Sequence, residues 1–281
     1  MGDLDTGRFE LLTQRSAGPD GVVYSARDPK SGNVVDLHLL TAVSGSRREF
    51  AQKQIRLLEL VDHPSVLRCR ESSLNAETLF VVTDAAPDTS LRDRGSDTFL
   101  DSVMEGLAVV ERLARAVVEA HRVGLVVGSL APSQIWWGEI AQLDLLPFRL
   151  GRFKADDELD LFSAPTDETT AESDVYSLGM LLHWVVSGKV ATTDSSGGLT
   201  GSIGNADRTL DSTGEFTLSL ERLASGPIEN PIRRLLRDML SPDELDRPSA
   251  REAAGRLAET IAILSDSMVD QTKDFSPASA D

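Results

Sequence analysis

The residues with the clearest chemical pattern lie at 127–135, which read Val-Gly-Ser-Leu-Ala-Pro-Ser-Gln-Ile. Ser129 and Gln134 are the candidates for chemistry here, a hydroxyl and, five residues later, a neutral amide. Proton acceptance from a substrate hydroxyl and magnesium binding are normally performed by carboxylate oxygens. Because the segment offers no carboxylate, it lacks the usual group for either task.

Further motifs around this loop resemble those of a known family. Residues 127–135 resemble the protein kinase catalytic loop H-R-D-L-K-P-x-N-I, with Leu130, Pro132 and Ile135 matching its frame. In kinase order, 18–28 resemble the glycine-rich loop, 62–67 the link from helix C to strand 4, 173–179 the start of a long helix, and 246–249 the Arg-Pro before the last helix. The motifs are most similar to those of bacterial kinases that resemble eukaryotic serine/threonine kinases.

The resemblance implies an α+β fold, a bilobal protein kinase-like domain over residues 8–263, and the hydrophobic pattern agrees with it. Short aliphatic runs at 9–12, 22–27, 34–40, 66–71 and 79–83 predict a five-stranded N-lobe sheet within about 8–84, with helix C at 47–61. The C-lobe, about 88–263, is predicted to be mainly helical. We expect a surface loop at 191–215 and a disordered tail or linker at 264–281.

In active kinases a lysine, a glutamate, two aspartates and an asparagine position the phosphates, the metal and the nucleophile. The resemblance places other residues at these positions and at the loop lysine, so it implies a degenerate site without catalytic residues, that is, a pseudokinase. The degenerate positions are His38, Gln54, Ser129, Ala131, Gln134 and Leu145.

The nucleotide pocket implied by the resemblance is altered as well. Asp36 replaces the small alanine that caps adenine, and Trp136 replaces the leucine beneath the ring. Trp136 either fills the adenine space or packs within the large lobe. We expect no cofactor in this vestigial pocket, whose residues are Gly18, Gly21, Val23, Asp36, His38, Val82 and Trp136.

The metal position is equally altered in the best alignment with the D-F-G motif. Leu145 takes the aspartate position and offers magnesium no oxygen ligand. Asp144, one residue earlier, either enters the site through a register shift or faces outward from its strand. We therefore expect no bound metal unless a register shift brings Asp144 into the site.

Charge and composition exclude several function classes. The chain has 28 basic and 45 acidic residues, and its net charge of −17 argues against nucleic acid and anionic membranes as partners. It has neither a long apolar run nor a secretory signal, so we expect a cytoplasmic protein without direct membrane insertion. Its single cysteine, Cys69, cannot form an internal disulfide.

The resemblance also assigns structural roles and candidate modification sites. Asp174 matches the buried aspartate that supports the catalytic loop, and Arg247 matches an arginine whose usual glutamate partner is here Thr166. Thr166, Thr169 and Thr170 are candidate phosphorylation sites, with an active kinase or a phosphothreonine-binding domain as the partner.

Three functions follow from these observations. The first is a protein-binding scaffold or allosteric regulator in signalling that is not an enzyme and does not bind Mg-ATP. The second is a nucleotide-sensing or weakly active serine/threonine kinase with a rearranged site. The third is a cytoplasmic structural module of a larger receptor.

Overall fold

Alternating apolar residues in the first third of the chain build a five-stranded antiparallel sheet. We describe it from a computed structural model covering residues 8–18, 21–40, 45–73, 79–95, 103–128, 130–143, 162–164, 169–187, 191–193, 199–201 and 229–274. The strands are β1 (Glu10–Gly18), β2 (Gly21–Arg27), β3 (Val34–Leu40), β4 (Cys69–Ser73) and β5 (Leu79–Asp84). The sheet order is β1-β2-β3-β5-β4, so β1 and β4 are its edges.

Helix α1 (Gly45–Leu58) covers one face of this sheet. There Ala51 and Ile55 pack with Leu40, Leu79 and Val81. Because successive strand residues point to opposite faces, Asp36 and His38 share this face with Leu40. The sheet thereby directs two polar side chains of β3 toward the interior.

The opposite face of the sheet carries a separate apolar cluster. It contains Phe9, Leu37, Leu39 and Val82 among its buried members. The rings of Phe9 and Phe80 meet edge to face with centroids 6.3 Å apart. These contacts fix β3 between two apolar layers.

The second lobe is mainly helical, and α3 (Val103–Arg122) and α4 (Ala171–Ser187) lie at its centre. Apolar residues of α3 such as Leu107, Val110 and Leu113 are buried, and so is nearly the whole of α4. Gly179 lets α4 approach the chain at Met239 and Leu240, where a Cβ atom would lie 2.9 Å from Leu240 Cδ2. The remaining elements are α2 (Leu91–Arg94), β6 (Ile135–Trp137), β7 (Ala141–Leu143), β8 (Ala191–Thr193), β9 (Leu199–Gly201), α5 (Glu229–Met239) and α6 (Ala250–Asp274).

The bilobal α+β prediction is confirmed, with differences near the end of the chain. The tail expected to be disordered from 264 is wrong for 264–274, because α6 continues to Asp274. Ile261 and Leu264 pack against the large core, and extending an existing helix costs little compared with starting one. The short strands β8 and β9 also lie within the predicted loop at 191–215.

Within the described ranges, no helix is both long enough and apolar enough to cross a membrane.

Candidate functional site

The two lobes meet where the chain passes from β5 to α2. Residues 85–90 form this connection, and β6 of the second lobe lies beside it. Ser90 pairs with Trp136 through an isolated β-bridge, and the Trp137 N–H donates to Thr89 O at 2.8 Å. The Trp136 ring is therefore held next to the connection.

The guanidinium of Arg15, on β1, lies in the cleft between the lobes. Its Nη1 donates to Ala86 O at 2.7 Å and its Nη2 donates to Pro87 O at 2.8 Å. Its central carbon lies 5.1 Å from the centroid of the Trp136 ring, a cation–π distance. We call Arg15, Asp36, Ala86, Pro87 and Trp136 the cleft site.

Asp36 supplies the negative charge of the cleft site. Its side chain is only 4% exposed, and both carboxylate oxygens lie 3.3 Å from Arg15 Nη1. The Ala86 N–H donates to Asp36 Oδ2 at 2.9 Å. Burial raises the pKa of Asp36, while the Ala86 N–H and the Arg15 charge act in the opposite direction. The N–H and the C=O of Ala86 are thus both satisfied by side chains.

His38 lies on the same face of β3 but carries no charge. It is buried, and its Nε2 lies 3.3 Å from Thr83 Oγ1. Burial, and secondarily the positive charge of Arg15, lower the pKa of His38 to about 3. The position of the family's phosphate-binding lysine therefore holds a neutral ring at physiological pH.

Three other predicted positions carry polar atoms without a hydrogen-bond partner among the described residues. They are Gln54 Oε1, Gln134 Oε1 and Trp136 Nε1. Gln54 is buried on α1, and Gln134 ends a 3-10 turn before β6. The neutral amide of Gln54 leaves this part of the cleft without the carboxylate expected of a kinase glutamate, whereas Gln134 replaces an asparagine with a longer amide.

The glycines of the glycine-rich loop have a packing role in this structure. Gly18 pairs with Gly21 at the β1–β2 turn, and a Cβ at Gly21 would overlap the carbonyl oxygen of Leu39. Only a residue without a side chain fits there. Gly21 is thus required by the sheet itself, whatever the cleft binds.

The structure corrects one predicted pocket residue. Val82 pairs with Leu37 and packs in the cluster on the far face of the sheet, so it does not line the cleft. Thr83, one residue later, faces His38 instead. Val23 pairs with His38 and shares its face, as a pocket residue should.

Asp174, the first polar residue of α4 to be fully buried, supports the loop that precedes β6. Its carboxylate accepts from the N–H of Val127 at 2.8 Å and from the N–H of Gly128 at 2.7 Å. His121 Nε2, at the end of α3, lies 2.7 Å from Asp174 Oδ2. Gly128 adopts φ +92°, a conformation that favours glycine. The predicted structural role of Asp174 is confirmed.

Arg247, expected to need a new partner, finds backbone carbonyls. It donates to Ser241 O at 2.8 Å and to Glu172 O at 3.2 Å, and its guanidinium lies 5.1 Å from the Tyr176 ring centroid. Glu244 is 3.8 Å away. Backbone carbonyl oxygens thus accept hydrogen bonds from Arg247 in place of the carboxylate of the family's glutamate.

The other predicted site residues divide into two groups. Ser129, Asp144, Leu145 and Thr166 lie outside the described residues. Ala131 is buried, and Thr170 begins α4 by exchanging hydrogen bonds with Ser173.

Arg15 lies where the resemblance would place an adenine ring. The Arg15 guanidinium occupies the space between Asp36 and Trp136, which are the two positions assigned to the faces of adenine. His38, at the position of the family's lysine, adds no positive charge beside Asp36. The cleft site of the structure holds a guanidinium cation, that of Arg15.

Arg15 is the functional residue that sequence reasoning missed. It lies in the polar run Thr-Gln-Arg-Ser, and no motif singles it out. The unusual acidic residue at Asp36 was the available signal, since a buried carboxylate requires a cation or amide partner.

A small antiparallel lobe with one covering helix, joined by a short connection to a helical lobe with an aspartate-supported loop, defines a protein kinase-like fold. Comparison with known proteins agrees. The chain is 27% identical over 207 residues to serine/threonine-protein kinase PknA of Mycobacterium tuberculosis, covering 66% of this chain and 48% of that protein. It is 26% identical over 207 residues to serine/threonine-protein kinase pkn2 of Myxococcus xanthus, covering 66% of this chain and 25% of that protein.

A mouse relative, ribosomal protein S6 kinase alpha-6, is 26% identical over 171 residues, covering 57% of this chain and 22% of that protein. No protein-family model matches the chain. The homologues place the chain among relatives of the bacterial eukaryotic-like serine/threonine kinases, within the kinase superfamily. The chain spans about half the length, or less, of these curated relatives.

The relatives also overturn one prediction. The substitutions in the catalytic motifs led to the expectation that the chain is not an enzyme, yet the bacterial relatives described above are named as serine/threonine-protein kinases. That expectation was wrong because it treated an altered motif as sufficient proof of lost activity. Replacement of individual catalytic residues alters an active site, but the replacements alone do not determine what the remaining side chains do.

Proposed function

We propose that this chain is a kinase-like signalling domain that acts by binding a protein partner, as a scaffold or allosteric regulator in the cytoplasm. In this role its cleft is held by Arg15 in place of Mg-ATP. The observation that carries the proposal is the Arg15 guanidinium hydrogen-bonded to Asp36, Ala86 O and Pro87 O. A nucleotide would have to displace these bonds before it could enter.

The charge distribution supports this proposal. Asp36 and Asp88 both lie beside Arg15, with Asp88 Oδ1 3.9 Å from its Nη2, and the chain as a whole carries a net charge of −17. Such a surface attracts basic protein segments and repels polyanions. The domain is therefore suited to a partner with exposed arginine or lysine side chains.

Thermal unfolding with nucleotide tests the proposal. We expect the Tm of the purified domain to be the same with and without Mg-ATP, with magnesium alone as the control. A ligand that binds only the folded state adds about 2.7 kcal/mol at a hundredfold excess over its Kd, which a melt detects easily. A clear rise in Tm with Mg-ATP would contradict an occupied cleft.

A second candidate is a weakly active serine/threonine kinase with a rearranged site, and the names of the relatives favour it. It predicts magnesium-dependent transfer of phosphate from ATP to protein. Asp144→Ala should abolish this transfer, whereas Asp62→Ala, at an exposed position before β4, should leave it unchanged. Equal activity in the two variants would exclude Asp144 from the site.

The partner is sought by affinity capture with the wild-type domain, before and after treatment with an active serine/threonine kinase. Capture of a phosphothreonine-binding protein only after treatment would support the role of Thr166, Thr169 or Thr170. Identical partner sets would remove the phosphorylation hypothesis and leave the scaffold proposal intact.

A further inference from the structure

The polar walls of the cleft site consist largely of hydrogen-bond acceptors. Ala86 O, Pro87 O and the Asp36 carboxylate accept from Arg15, and Trp136 presents its π face. A planar cation with several N–H donors satisfies all of these groups at once. A lysine ammonium is a single point charge and cannot reproduce the same fork of bonds.

These acceptors are held in place by contacts that do not involve Arg15. The Ala86 N–H fixes Asp36 Oδ2 at 2.9 Å. The Ser90–Trp136 bridge and the bond from the Trp137 N–H to Thr89 O fix the indole beside the connection. The site should therefore keep its shape when Arg15 leaves, which lowers the cost of binding a replacement.

Arg15 is supplied by a part of the sheet that can release it. Strand β1 is an edge strand, and its register with β2 shifts between Gln14, which pairs with Tyr24, and Ser16, which pairs with Val23. Arg15 is thus the extra residue of a bulge, a feature that redirects a side chain without ending strand pairing. Its withdrawal need not break the β1–β2 ladder.

We infer that the cleft site is a guanidinium-binding site, filled in cis by Arg15 and, once Arg15 is displaced, by an arginine side chain of a partner protein. The inference rests on the proposed function, because it names the chemistry by which a protein partner enters the cleft. It assigns Arg15 the role of an internal competitor that the partner's arginine must displace.

Chemical complementation with agmatine, an alkylguanidinium, tests this inference. We expect Arg15→Ala to have a lower Tm than the wild-type domain, and agmatine to raise the Tm of this variant and change its tryptophan fluorescence. The wild-type domain should not respond, since its site is filled.

Cadaverine, a primary amine of similar length, should not replace agmatine. Arg15→Ala/Asp36→Ala should bind agmatine about tenfold more weakly or worse, because the charge-assisted bonds are lost.

The matched control is Arg8→Ala. Arg8 also pairs with carboxylates, at Glu71 and Asp28, and lies 4.5 Å from the Phe9 ring centroid, but it is outside the cleft. An equal agmatine response in Arg8→Ala, or stabilisation of Arg15→Ala by adenosine or ATP but not by agmatine, would overturn the inference. So would the absence of any response.

If Arg15→Ala does not fold, Arg15→Lys is titrated in its place, because it keeps a cation while lacking the guanidinium fork. Affinity capture with the wild-type domain is independent of this titration. A negative titration combined with a captured partner would reject the guanidinium site alone, whereas a missing partner would reject the proposed function.

Discussion

At the scale of single residues, the least expected feature is a carboxylate at Asp36 in an almost fully buried position. A buried charge is costly unless paired, and Asp36 is paired twice, with the Arg15 guanidinium and the Ala86 N–H. The pair joins β1 to β3, and through Ala86 it reaches the connection between the lobes. Removal of Arg15 leaves the buried Asp36 carboxylate without its cation. Removal of Asp36 leaves N–H donors of Arg15 and Ala86 without their acceptor.

A double-mutant cycle measures this dependence. Arg15→Ala and Asp36→Ala should each lower the free energy of unfolding by about 3 kcal/mol, and the double variant should lose less than their sum. Urea denaturation gives all of these values. The comparison variant is Arg27→Ala, whose exposed pair with Glu10 at 3.6 Å should be worth less than about 1 kcal/mol. Additive losses for Arg15 and Asp36 would show that the two residues are not coupled.

His38 makes stability depend on pH. The unfolded chain takes up a proton on His38 below about 6.5, whereas the folded chain resists it down to about 3, because burial lowers the pKa of this ring. Protons therefore favour the unfolded chain in this interval, and stability falls as pH falls. Between pH 7 and pH 5 the loss attributable to His38 is about 2 kcal/mol.

His38→Gln removes this proton uptake while keeping a polar side chain. Urea denaturation at both pH values should give a smaller loss on acidification for this variant than for the wild-type domain. Asp36 acts in the opposite sense, since its raised pKa makes its contribution fall as pH rises, but it is present in both proteins. The same pH dependence in the two proteins would contradict a neutral, buried His38.

At the scale of elements, strand alternation decides which side chains enter the cleft. Val82 and Thr83 are neighbours in β5, yet Val82 packs with Leu37 on the far face while Thr83 meets His38. The edge position of β1 and its bulge likewise decide that Arg15 points to the connection. A shift of one residue in β1 would replace Arg15 with the uncharged Gln14 or Ser16, and a shift in β5 could turn Val82 toward His38 in place of Thr83.

The start of α4 is also set locally, by Thr170. The Ser173 N–H donates to Thr170 Oγ1 at 3.0 Å, and the Thr170 N–H donates to Ser173 Oγ at 3.0 Å, as in a capping box. Thr170→Ala should lower the unfolding free energy by about 1 kcal/mol. Thr169→Ala, its exposed neighbour, should have almost no effect in the same urea titration. Equal losses would mean that Thr170 does not cap the helix.

At the scale of the whole molecule, Asp174 connects α4 to the end of α3 and to the loop that enters the cleft. Its carboxylate is fully buried and receives the N–H groups of Val127 and Gly128, with His121 as a third neighbour. This arrangement orders a loop that has no strand pairing of its own. The loop in turn positions Gln134 and Trp136.

Asp174→Ala should therefore lower the unfolding free energy by about 3 kcal/mol and increase amide hydrogen exchange at Val127 and Gly128. Asp238→Ala is the matched control, since Asp238 forms a half-exposed pair with Arg256 at 2.7 Å. That variant should lose less than about 1 kcal/mol. Unchanged exchange in Asp174→Ala would show that other contacts order the loop.

Motif order and hydrophobic period were enough to predict the bilobal fold, the strand and helix order and the positions of His38, Asp36, Trp136 and Asp174, because both can be read along the chain. Only the folded structure shows that Arg15 occupies the cleft, that Val82 does not, and that Arg247 is satisfied by carbonyls. Arg15 reaches Asp36 across 21 residues of chain and Ala86 across 71. Contacts at such separations depend on sheet register and on the relative placement of the lobes, which no local pattern encodes.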